Sequence, residues 1–596
     1  MTTSTNTTGT SGAPSRRRVL AGAAGAAGAG LAVAVGVRQS AHAADLPPLG
    51  TYDVVVIGSG AAGMTAALTA AGQGLSCVVV EKAPTFGGSA ARSGAGIWIP
   101  NNEVILAAGV PDTPAKAAAY LAAVVGPDVP ADRQRAFLTH GPATISYVMA
   151  HSPLRFRWME GYSDYYPELP GGLPNGRSIE PDQIDGHLLG PELARLNPPY
   201  MDVPAGMVVF SADYKWVALA AVHAKGAAVA AQCLARGTAA ALRGEKPLTM
   251  GQALAAGLRA GLRSAGVPVW LNTPLTDLHV ENGTVAGAVV TRDGTPGLVR
   301  ARRGVIVGSG GFEHNAAMRD RFQRQPIGTD WTVGAKENTG DGIRAGERLG
   351  AALDLMEDAW WGPAIPIPGD PYFCLAERTL PGGLLVNGSG RRFVNEAAPY
   401  SDVVHTMYDV HDTDPAIPCW LIVDQNYRNR YLFKDVLPVL PVPDDWYDSG
   451  AAHKAWTLDA LAASIGVPPA ALRTTVDRFN TQARQGKDPD FHRGDSAYDH
   501  YYTDPNVLPN SCLAPLWLPP YHAFRIVPGD LGTKGGMRTD ARARVLREDG
   551  SVIRGLYAAG NASAAVMGHS YAGAGSTIGP AMTFGYIAAK DIGGTL

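Results

Sequence analysis

Residues 51–82 read TYDVVVIGSGAAGMTAALTAAGQGLSCVVVEK. Val54, Val55, Val56 and Ile57 form a β-branched apolar run, the pattern of a strand buried on both faces of a parallel sheet. Gly58-Ser59-Gly60-Ala61-Ala62-Gly63 follows at once, and an Ala/Leu-rich helical pattern begins there. A second apolar run, Cys77 to Val80, ends in Glu81, close to the spacing of roughly 20 residues expected between a dinucleotide-binding glycine turn and its acid. Gly58 permits the tight turn, Gly60 lets backbone approach a pyrophosphate, and Gly63 lets helix and strand pack closely. The helix N-terminus offers free N–H groups and partial positive charge to the phosphates. Glu81 is placed to accept hydrogen bonds from ribose hydroxyls. A lone GxGxxG says little. Set between strand and helix, with a terminal acid, it predicts a Rossmann-like βαβ unit in an α/β protein.

The next segment narrows the cofactor. Lys82-Ala83-Pro84-Thr85-Phe86-Gly87-Gly88-Ser89 and Arg92-Ser93-Gly94-Ala95-Gly96 add a second glycine-rich loop just after the ribose acid. Nicotinamide enzymes need no such loop there, whereas flavoproteins that hold FAD in extended form do. The stretch resembles the fumarate reductase/succinate dehydrogenase superfamily of FAD enzymes. FAD, held non-covalently, is the leading reading and NAD(P) alone the runner-up.

The 596 residues suffice for two intertwined domains. A net charge of −3, with no long basic run, gives no support for nucleic-acid binding. Apolar residues make up 46%, as in an ordered globular enzyme rather than a disordered chain. The five cysteines, Cys77, Cys233, Cys374, Cys419 and Cys512, are scattered. No CxxC spacing or His/Cys cluster offers a zinc or iron–sulfur site, so no metal is expected.

Residues 1–14 are polar and rich in Thr, Ser and Gly. Ser15-Arg16-Arg17-Arg18-Val19-Leu20, an Ala/Gly/Val run to Val37 and Ala41-His42-Ala43 then describe a secretory leader, residues 1–43. The paired arginines point to the twin-arginine route, which exports folded, cofactor-loaded proteins. The run is too weakly apolar for a stable membrane span.

Farther along, Val104–Ala123 and Arg133–Met149 have helical spacing. Met201–Arg263 is Ala-rich and reads as helical. Val267–Leu271 and Gly287–Thr291 read as strands around the Asn282-Gly283 turn. Gly304–Phe312 is another strand running into glycines, placed to return to the cofactor. Asn338–Gly342 opens a helix over Ile343–Leu349. The texture changes between Trp360 and Asp530, which predicts an inserted α+β domain over 361–530 that caps a FAD-binding domain formed by 44–360 and 531–596. Trp158–Glu168 is a dense aromatic loop that composition alone reads as core packing. Tyr400, after Pro399, is expected in a loop. Gly555–Asn561 is a strand ending in small residues, and Met567–Met582 is a glycine-rich loop entering a helix, aimed at the flavin.

Taken together, GSGAAGM, EKAPTFGGSAARSG, GYSDYYPE, GSGGFEHN, NTGDGI, EDAWWGP, FHRG, GDLGTKGG, GLYAAGN and Tyr571–Phe584 resemble the bacterial 3-ketosteroid Δ1-dehydrogenases over nearly all of residues 50–590. That family removes hydrogen from C1 and C2 of the steroid A ring. The resemblance implies catalytic roles for Tyr165, Tyr400, Tyr571 and Gly575. Tyr571 and the Gly575 N–H would bind the C3 carbonyl as an oxyanion hole. Tyr400, assisted by Tyr165, would take the C2 proton, while hydride leaves C1 for N5 of FAD. The residues expected to hold FAD are Gly58, Gly60, Ala61, Gly63, Glu81, Lys82, Gly87, Gly88, Ser89, Ser93, Gly94, Gly96, Gly310, Gly560, Asn561, Gly575, Thr577 and Ile578. A quinone or artificial acceptor would reoxidise the flavin. Two departures from the family stand out. Ala572 and Ala574 replace prolines, which predicts a looser loop before Gly575, and an exported form is unusual. The alternatives are a Δ4-dehydrogenase or another 2-enone-forming flavoenzyme and, from a different class, a non-catalytic exported flavoprotein that binds sterols or carries electrons. A fumarate-reductase-like activity is disfavoured, because no arginine stands among the residues placed around the substrate.

Overall fold

The computed structural model describes residues 46–201 and 206–596; the leader expected over residues 1–43 lies outside them. The opening motif folds as its residue types dictate. Strand β1 (Pro48–Ile57) buries Val54, Val55, Val56 and Ile57, the glycine turn follows, and helix α1 (Ala61–Gly72) leads to β2 (Cys77–Val80). β1 and β2 run parallel with Val54 opposite Cys77 and Ile57 opposite Val80. On its other side β1 pairs in parallel with Thr295–Val307, which in turn pairs in parallel with Val552–Ala558. The carboxyl ends of three strands distant in sequence therefore meet at one edge of the sheet, where the glycines Gly58, Gly308, Gly310 and Gly560 follow them.

Close packing needs two of these glycines in particular. A Cβ on Gly63 would stand 2.0 Å from the Gly58 carbonyl oxygen, so helix and strand could not approach. Gly58 itself has φ +98°, and a Cβ there would lie 2.4 Å from the Gly308 carbonyl oxygen. The C-terminal helix, Ile578–Gly593, packs along α1, and a Cβ on Gly585 would meet the Ala62 carbonyl at 2.4 Å.

A second, antiparallel sheet is built from Tyr372–Phe373, Ala359–Ile365, Tyr521–Thr533, Cys419–Asp424 and Gly383–Val386 in that order, with Ala452–Ala455 also paired to Tyr521–Thr533. The chain enters it through Ala359–Ile365 and leaves through Tyr521–Thr533. Helix Tyr400–His411 and helix Pro469–Gln485 flank it. The fold is α/β, a Rossmann-like nucleotide-binding unit carrying an inserted α+β unit.

Several local expectations are corrected. Val104–Ala123 is two helices, Glu103–Ala107 and Pro114–Val125, because Gly109 takes φ +83° and Pro111 cannot continue a helix. The Asn282-Gly283 hairpin joins Leu275–Glu281 to Thr284–Arg292, whereas Val269–Trp270 is a separate edge strand against β2. Between Met201 and Arg263 the helices are Tyr214–Val217, Ala224–Leu242 and Met250–Ser264, so the stretch is not continuously helical. The helix near residue 343 begins at Asp341, with Gly340 left-handed at its N-cap and no side-chain cap. Among the described residues no helix is long and apolar enough to cross a membrane.

Candidate active site

One cavity of about 820 Å³ runs from the glycine edge of the first sheet to the inserted unit. Its dinucleotide end is shaped by backbone. Gly60 lines the cavity, and a Cβ there would meet nothing within 4 Å, so its face is open backbone of the kind a pyrophosphate approaches. Beside it the buried Ser309 hydroxyl has no hydrogen-bond partner among the described residues and also lines the cavity. Glu81 accepts from Ser59 N at 2.8 Å, Ser59 Oγ at 2.7 Å and Ala83 N at 2.8 Å, which fixes its carboxylate at the wall. Lys82 Nζ donates to Asp341 Oδ2 at 2.8 Å and to the Glu337 carbonyl at 3.0 Å, tying the second loop to the segment that follows the third parallel strand. Ser89 Oγ accepts from Ala335 N at 2.9 Å.

Of the residues expected to hold the cofactor, Gly58, Gly60, Ala61, Glu81, Lys82, Gly88, Ser89, Ser93, Gly94, Gly96, Gly310, Gly560, Asn561, Gly575, Thr577 and Ile578 all line this cavity. Gly63 and Gly87 do not. Gly63 acts by letting α1 pack, and Gly87 by turning with φ +107° into the short helix Gly88–Arg92. The open Gly60 face, the free Ser309 hydroxyl and the tethered acid fit an extended dinucleotide. Among the described residues no cluster of three or more His, Cys, Asp or Glu side chains is arranged as for a metal.

At the other end Tyr165, Tyr400 and Tyr571 form a triangle. Their ring centroids stand 5.4 Å (165 to 400), 5.2 Å (165 to 571) and 5.2 Å (400 to 571) apart. The Tyr165 hydroxyl donates to the Tyr400 hydroxyl at 2.9 Å. All three rings line the cavity and are nearly buried. Tyr165 is held from both directions along its loop. Its own N–H donates to the Ala572 carbonyl at 3.1 Å. Its neighbour Asp164 accepts from Trp98 Nε1 at 2.9 Å and pairs with Arg177, which also binds Asp112 Oδ1 at 2.9 Å. Tyr400 is the first residue of helix Tyr400–His411 rather than a loop residue. Pro399 precedes it with a fixed φ and opens the helix, its carbonyl accepting from Asp402 N at 2.9 Å and Val403 N at 3.2 Å.

Tyr571 and Gly575 sit on the loop that closes the cavity. The Tyr571 and Thr577 hydroxyls are 3.1 Å apart. Gly575 has φ +99°, and a Cβ would land 2.2 Å from the Gly96 carbonyl carbon, so no other residue fits. The loop is not loose despite Ala572 and Ala574. The Ala572 carbonyl accepts from Tyr120 Oη at 2.6 Å and the Ala574 carbonyl from Ser178 Oγ at 2.7 Å, while Gly575 O accepts from Trp98 N at 3.2 Å. Side chains from elsewhere supply the restraint that proline would have given. Tyr120 and Ser178, and the second role of Thr577, carry no signal in the sequence.

Burial pushes the Tyr165 and Tyr400 hydroxyls well above the usual phenol range. Burial also raises Tyr571, but the Thr577 and Tyr400 hydroxyls and the Gly575 N–H oppose it. Three more aromatic rings pack on the triangle, of which Phe373 also lines the cavity. Tyr498 lies 4.7 Å from Tyr165, Trp360 5.2 Å from Tyr571 and Phe373 5.3 Å from Tyr400. Tyr498 stands in the segment Ala497-Tyr498-Asp499, which carries no motif of its own. The site thus offers an aromatic-walled slot, two donors in Tyr571 Oη and Gly575 N, and a pair of hydrogen-bonded phenols.

The comparisons agree with this geometry. The family model described as "FAD binding domain" matches residues 53–578, so the chain is an FAD-dependent flavoprotein. A 3-oxosteroid 1-dehydrogenase of Mycolicibacterium smegmatis is 56% identical over 91% of this chain and 97% of its own length. A 4-oxocyclohexanecarboxylate 2-dehydrogenase of Sinomonas cyclohexanicum is 36% identical over 92% of this chain and 94% of its own length. Among solved structures, the 3-ketosteroid Δ1-dehydrogenase of Sterolibacterium denitrificans, in complex with 1,4-androstadiene-3,17-dione, has a TM-score of 0.87 at 41% identity, covering 92% of this chain and all of its own. The chain belongs to the 3-oxosteroid 1-dehydrogenase family.

Proposed function

We propose that this chain dehydrogenates 3-ketosteroids between C1 and C2, with FAD in the glycine-lined part of the cavity. The observation that carries the reading is the Tyr165–Tyr400–Tyr571 triangle facing the same cavity as the glycine cradle. Bound FAD supplies the two-electron oxidant for the hydrogen that leaves C1. Gly58, Gly60 and Ala61 would hold its pyrophosphate, Glu81 its ribose, and Gly560, Asn561, Thr577 and Ile578 the ring end.

The chain's own residues perform the rest. The Tyr571 O–H and the Gly575 N–H donate to the C3 carbonyl oxygen and stabilise the negative charge that grows there. Such a donor is worth about 2.7–4 kcal/mol of transition-state energy. That charge stabilisation acidifies C2, whose proton passes to Tyr400. The Tyr165 hydroxyl, 2.9 Å away, orients Tyr400 and stabilises any negative charge on it. Phe373 on the cavity wall, with Trp360 and Tyr498 packed behind the tyrosines, gives these contacts apolar surroundings of low dielectric, which strengthens each of them.

Two further parts of the reading concern partners and place. A quinone or an artificial dye reoxidises the flavin. The chain is exported through a twin-arginine leader, on the strength of Arg16-Arg17 and the Ala41-His42-Ala43 site. The test of the steroid reading is anaerobic bleaching of the purified yellow protein by a panel of 3-ketosteroids. Androst-4-ene-3,17-dione should bleach it. Bleaching only by a 5α-saturated 3-ketosteroid, with a C4–C5 alkene as product, would make it a Δ4-dehydrogenase instead. No bleaching by any member of the panel would leave the non-catalytic reading.

A further inference from the structure

Asp358 and Lys534, the charged residues inside the stretches EDAWWGP and GDLGTKGG, take no part in the chemistry above. Both are buried, Asp358 at 3% exposure and Lys534 at 0%. Asp358 stands just before Ala359–Ile365, where the chain enters the second sheet, and Lys534 just after Tyr521–Thr533, where it leaves. Lys534 N donates to the Asp358 carbonyl at 3.2 Å, and the ammonium pairs with Asp358 Oδ2 at 3.0 Å. Burial alone would raise the Asp358 carboxyl, but Lys534 and His405 outweigh it and hold it below the ordinary carboxylate range. The pair is therefore charged at neutral pH, as a lysine this deeply buried requires.

Two arms leave this pair. On one side Lys534 Nζ donates to the Ser570 carbonyl at 3.2 Å, and Ser570 immediately precedes Tyr571. The same ammonium lies 4.8 Å from the centre of the Trp360 ring, which packs 5.2 Å from the Tyr571 ring. On the other side Asp358 Oδ1 accepts from His405 Nε2 at 2.9 Å. His405 belongs to helix Tyr400–His411, whose first residue is Tyr400. Trp361 Nε1 and Ala359 N also donate to Oδ1, at 2.6 Å and 3.0 Å, which fixes the carboxylate between its partners. The main chain beside Tyr571 is thus joined to the helix of Tyr400 through Lys534, Asp358 and His405 in turn. The same helix also holds the third phenol's loop, since Tyr166 Oη donates to Asp402 Oδ1 at 2.8 Å.

We propose that Lys534, Asp358 and His405 form one buried bridge that sets the spacing of Tyr571 and Tyr400. The bridge rests on the reading that Tyr571 faces the C3 carbonyl and Tyr400 faces C2. Charge grows on the C3 oxygen only as the C2 proton leaves, so donor and base must address neighbouring atoms together. Tyr571 comes from the nucleotide-binding unit and Tyr400 from the inserted one, so neither unit fixes their separation by itself. The bridge stands where the chain crosses between the two units. None of its three residues lines the cavity, so all three are positioning residues. Other ties keep the Tyr571 loop folded without it: Ser570 Oγ donates to the Val124 carbonyl at 2.8 Å, and Trp98 N to the Gly575 carbonyl at 3.2 Å. Loss of the bridge displaces the Tyr571 hydroxyl and leaves the Gly575 N–H in place.

The test is anaerobic stopped-flow flavin reduction by androst-4-ene-3,17-dione in FAD-loaded wild type, Lys534→Met, His405→Leu, His405→Gln and Tyr571→Phe. Steroid affinity, flavin content and thermal midpoint are measured on each preparation. A displacement of about 1 Å costs up to about 100-fold in rate, so Lys534→Met and His405→Leu should each slow reduction at least tenfold, with affinity within threefold of wild type. His405→Gln, which can still donate to Asp358, should recover to within threefold of wild type. Lys534→Met combined with His405→Leu should be no slower than the slower single variant, because both cut one bridge. Added to Tyr571→Phe, either change should cost less than threefold, because the hydroxyl it positions is already gone. A residue that only stabilised the fold would slow both backgrounds by the same factor. That equal factor, a double variant slowed by the product of the single effects, or a Lys534→Met or His405→Leu protein within threefold of wild type overturns the bridge. If Lys534→Met does not fold, His405→Leu in the same two backgrounds decides. A wild type that the steroid does not reduce, or a Tyr571→Phe as fast as wild type, overturns the active-site reading beneath the bridge, so the two failures are distinct.

Discussion

Replacing Tyr571 by Phe removes one oxygen and leaves the shape of the site in place. The ring keeps its contacts, 5.2 Å from Tyr165, Tyr400 and Trp360 alike. The folded protein loses the hydrogen bond between Tyr571 Oη and Thr577 Oγ1, 3.1 Å long, at a net cost of about 0.5–1.5 kcal/mol. That is small beside a total folding stability of about 5–15 kcal/mol, so the variant should purify yellow and fully loaded. The transition state loses far more. One of two donors to the developing enolate disappears, worth about 2.7–4 kcal/mol or a factor of about 10²–10³. The Gly575 N–H remains, so the rate should fall without vanishing. Because the donor acts mainly on charge that develops during reaction, steroid affinity should change much less than the rate. The assay is single-turnover flavin bleaching under anaerobic conditions, with flavin content and thermal midpoint recorded on the same preparation. A reduction rate within fivefold of wild type would refute the oxyanion reasoning. A loss traced entirely to missing flavin would refute it equally, since the residue would then act through cofactor retention.

Three more outcomes are expected. Glu81→Ala strips the partner from Ser59 N, Ser59 Oγ and Ala83 N, each left with a desolvation cost of about 1–3 kcal/mol, and should purify largely without FAD; a yellow protein with one flavin per chain would contradict that. His569, between Glu357 at 2.8 Å and Asp128 at 3.2 Å, is pushed up to about 9, above its free value of about 6.5. Its contribution to stability is therefore full below about pH 6.5 and is lost as pH rises through about 9, so wild type should lose its advantage over His569→Gln across that window in thermal melts. A constant difference between the two proteins from pH 6 to 10 would contradict it. Finally, Arg16→Lys with Arg17→Lys should hold precursor inside the cell, and unchanged export would remove the twin-arginine reading.

The nucleotide-binding half of the fold was legible because its residues act locally. The β-branched run, the glycines and Glu81 all lie within residues 54–81, and their spacing alone implies strand, turn, helix and strand. The strand that runs into Gly308 and Gly310 was legible for the same reason. Elements governed by distant partners were not. Val267–Leu271 and Leu275–Glu281 are both apolar enough to be strands, and only pairing with β2 or with Thr284–Arg292 tells which one forms the hairpin. The helix start at Tyr400 was hidden because a proline before a residue suits a loop and a helical first turn equally.

The catalytic constellation was legible only through resemblance. Tyr165 and Tyr400 are separated by 235 residues, and no periodicity could place their hydroxyls in contact. The tightness of the Gly575 loop was misjudged for the same reason, since Tyr120 and Ser178 hold it from far away. Tyr162, Tyr498, Tyr501 and Tyr502 show themselves in sequence only as aromatic clusters. Their arrangement around Tyr165 exists only in three dimensions.

The most direct measurement is the identity of the product formed from androst-4-ene-3,17-dione in an anaerobic turnover stoichiometric with bound flavin. Proton NMR should show new vinyl signals from C1 and C2, one steroid converted per flavin bleached. Bleached flavin with C1 and C2 still saturated, or unchanged steroid beside a flavin that stays yellow, would contradict the assignment of this chain to A-ring 1,2-dehydrogenation.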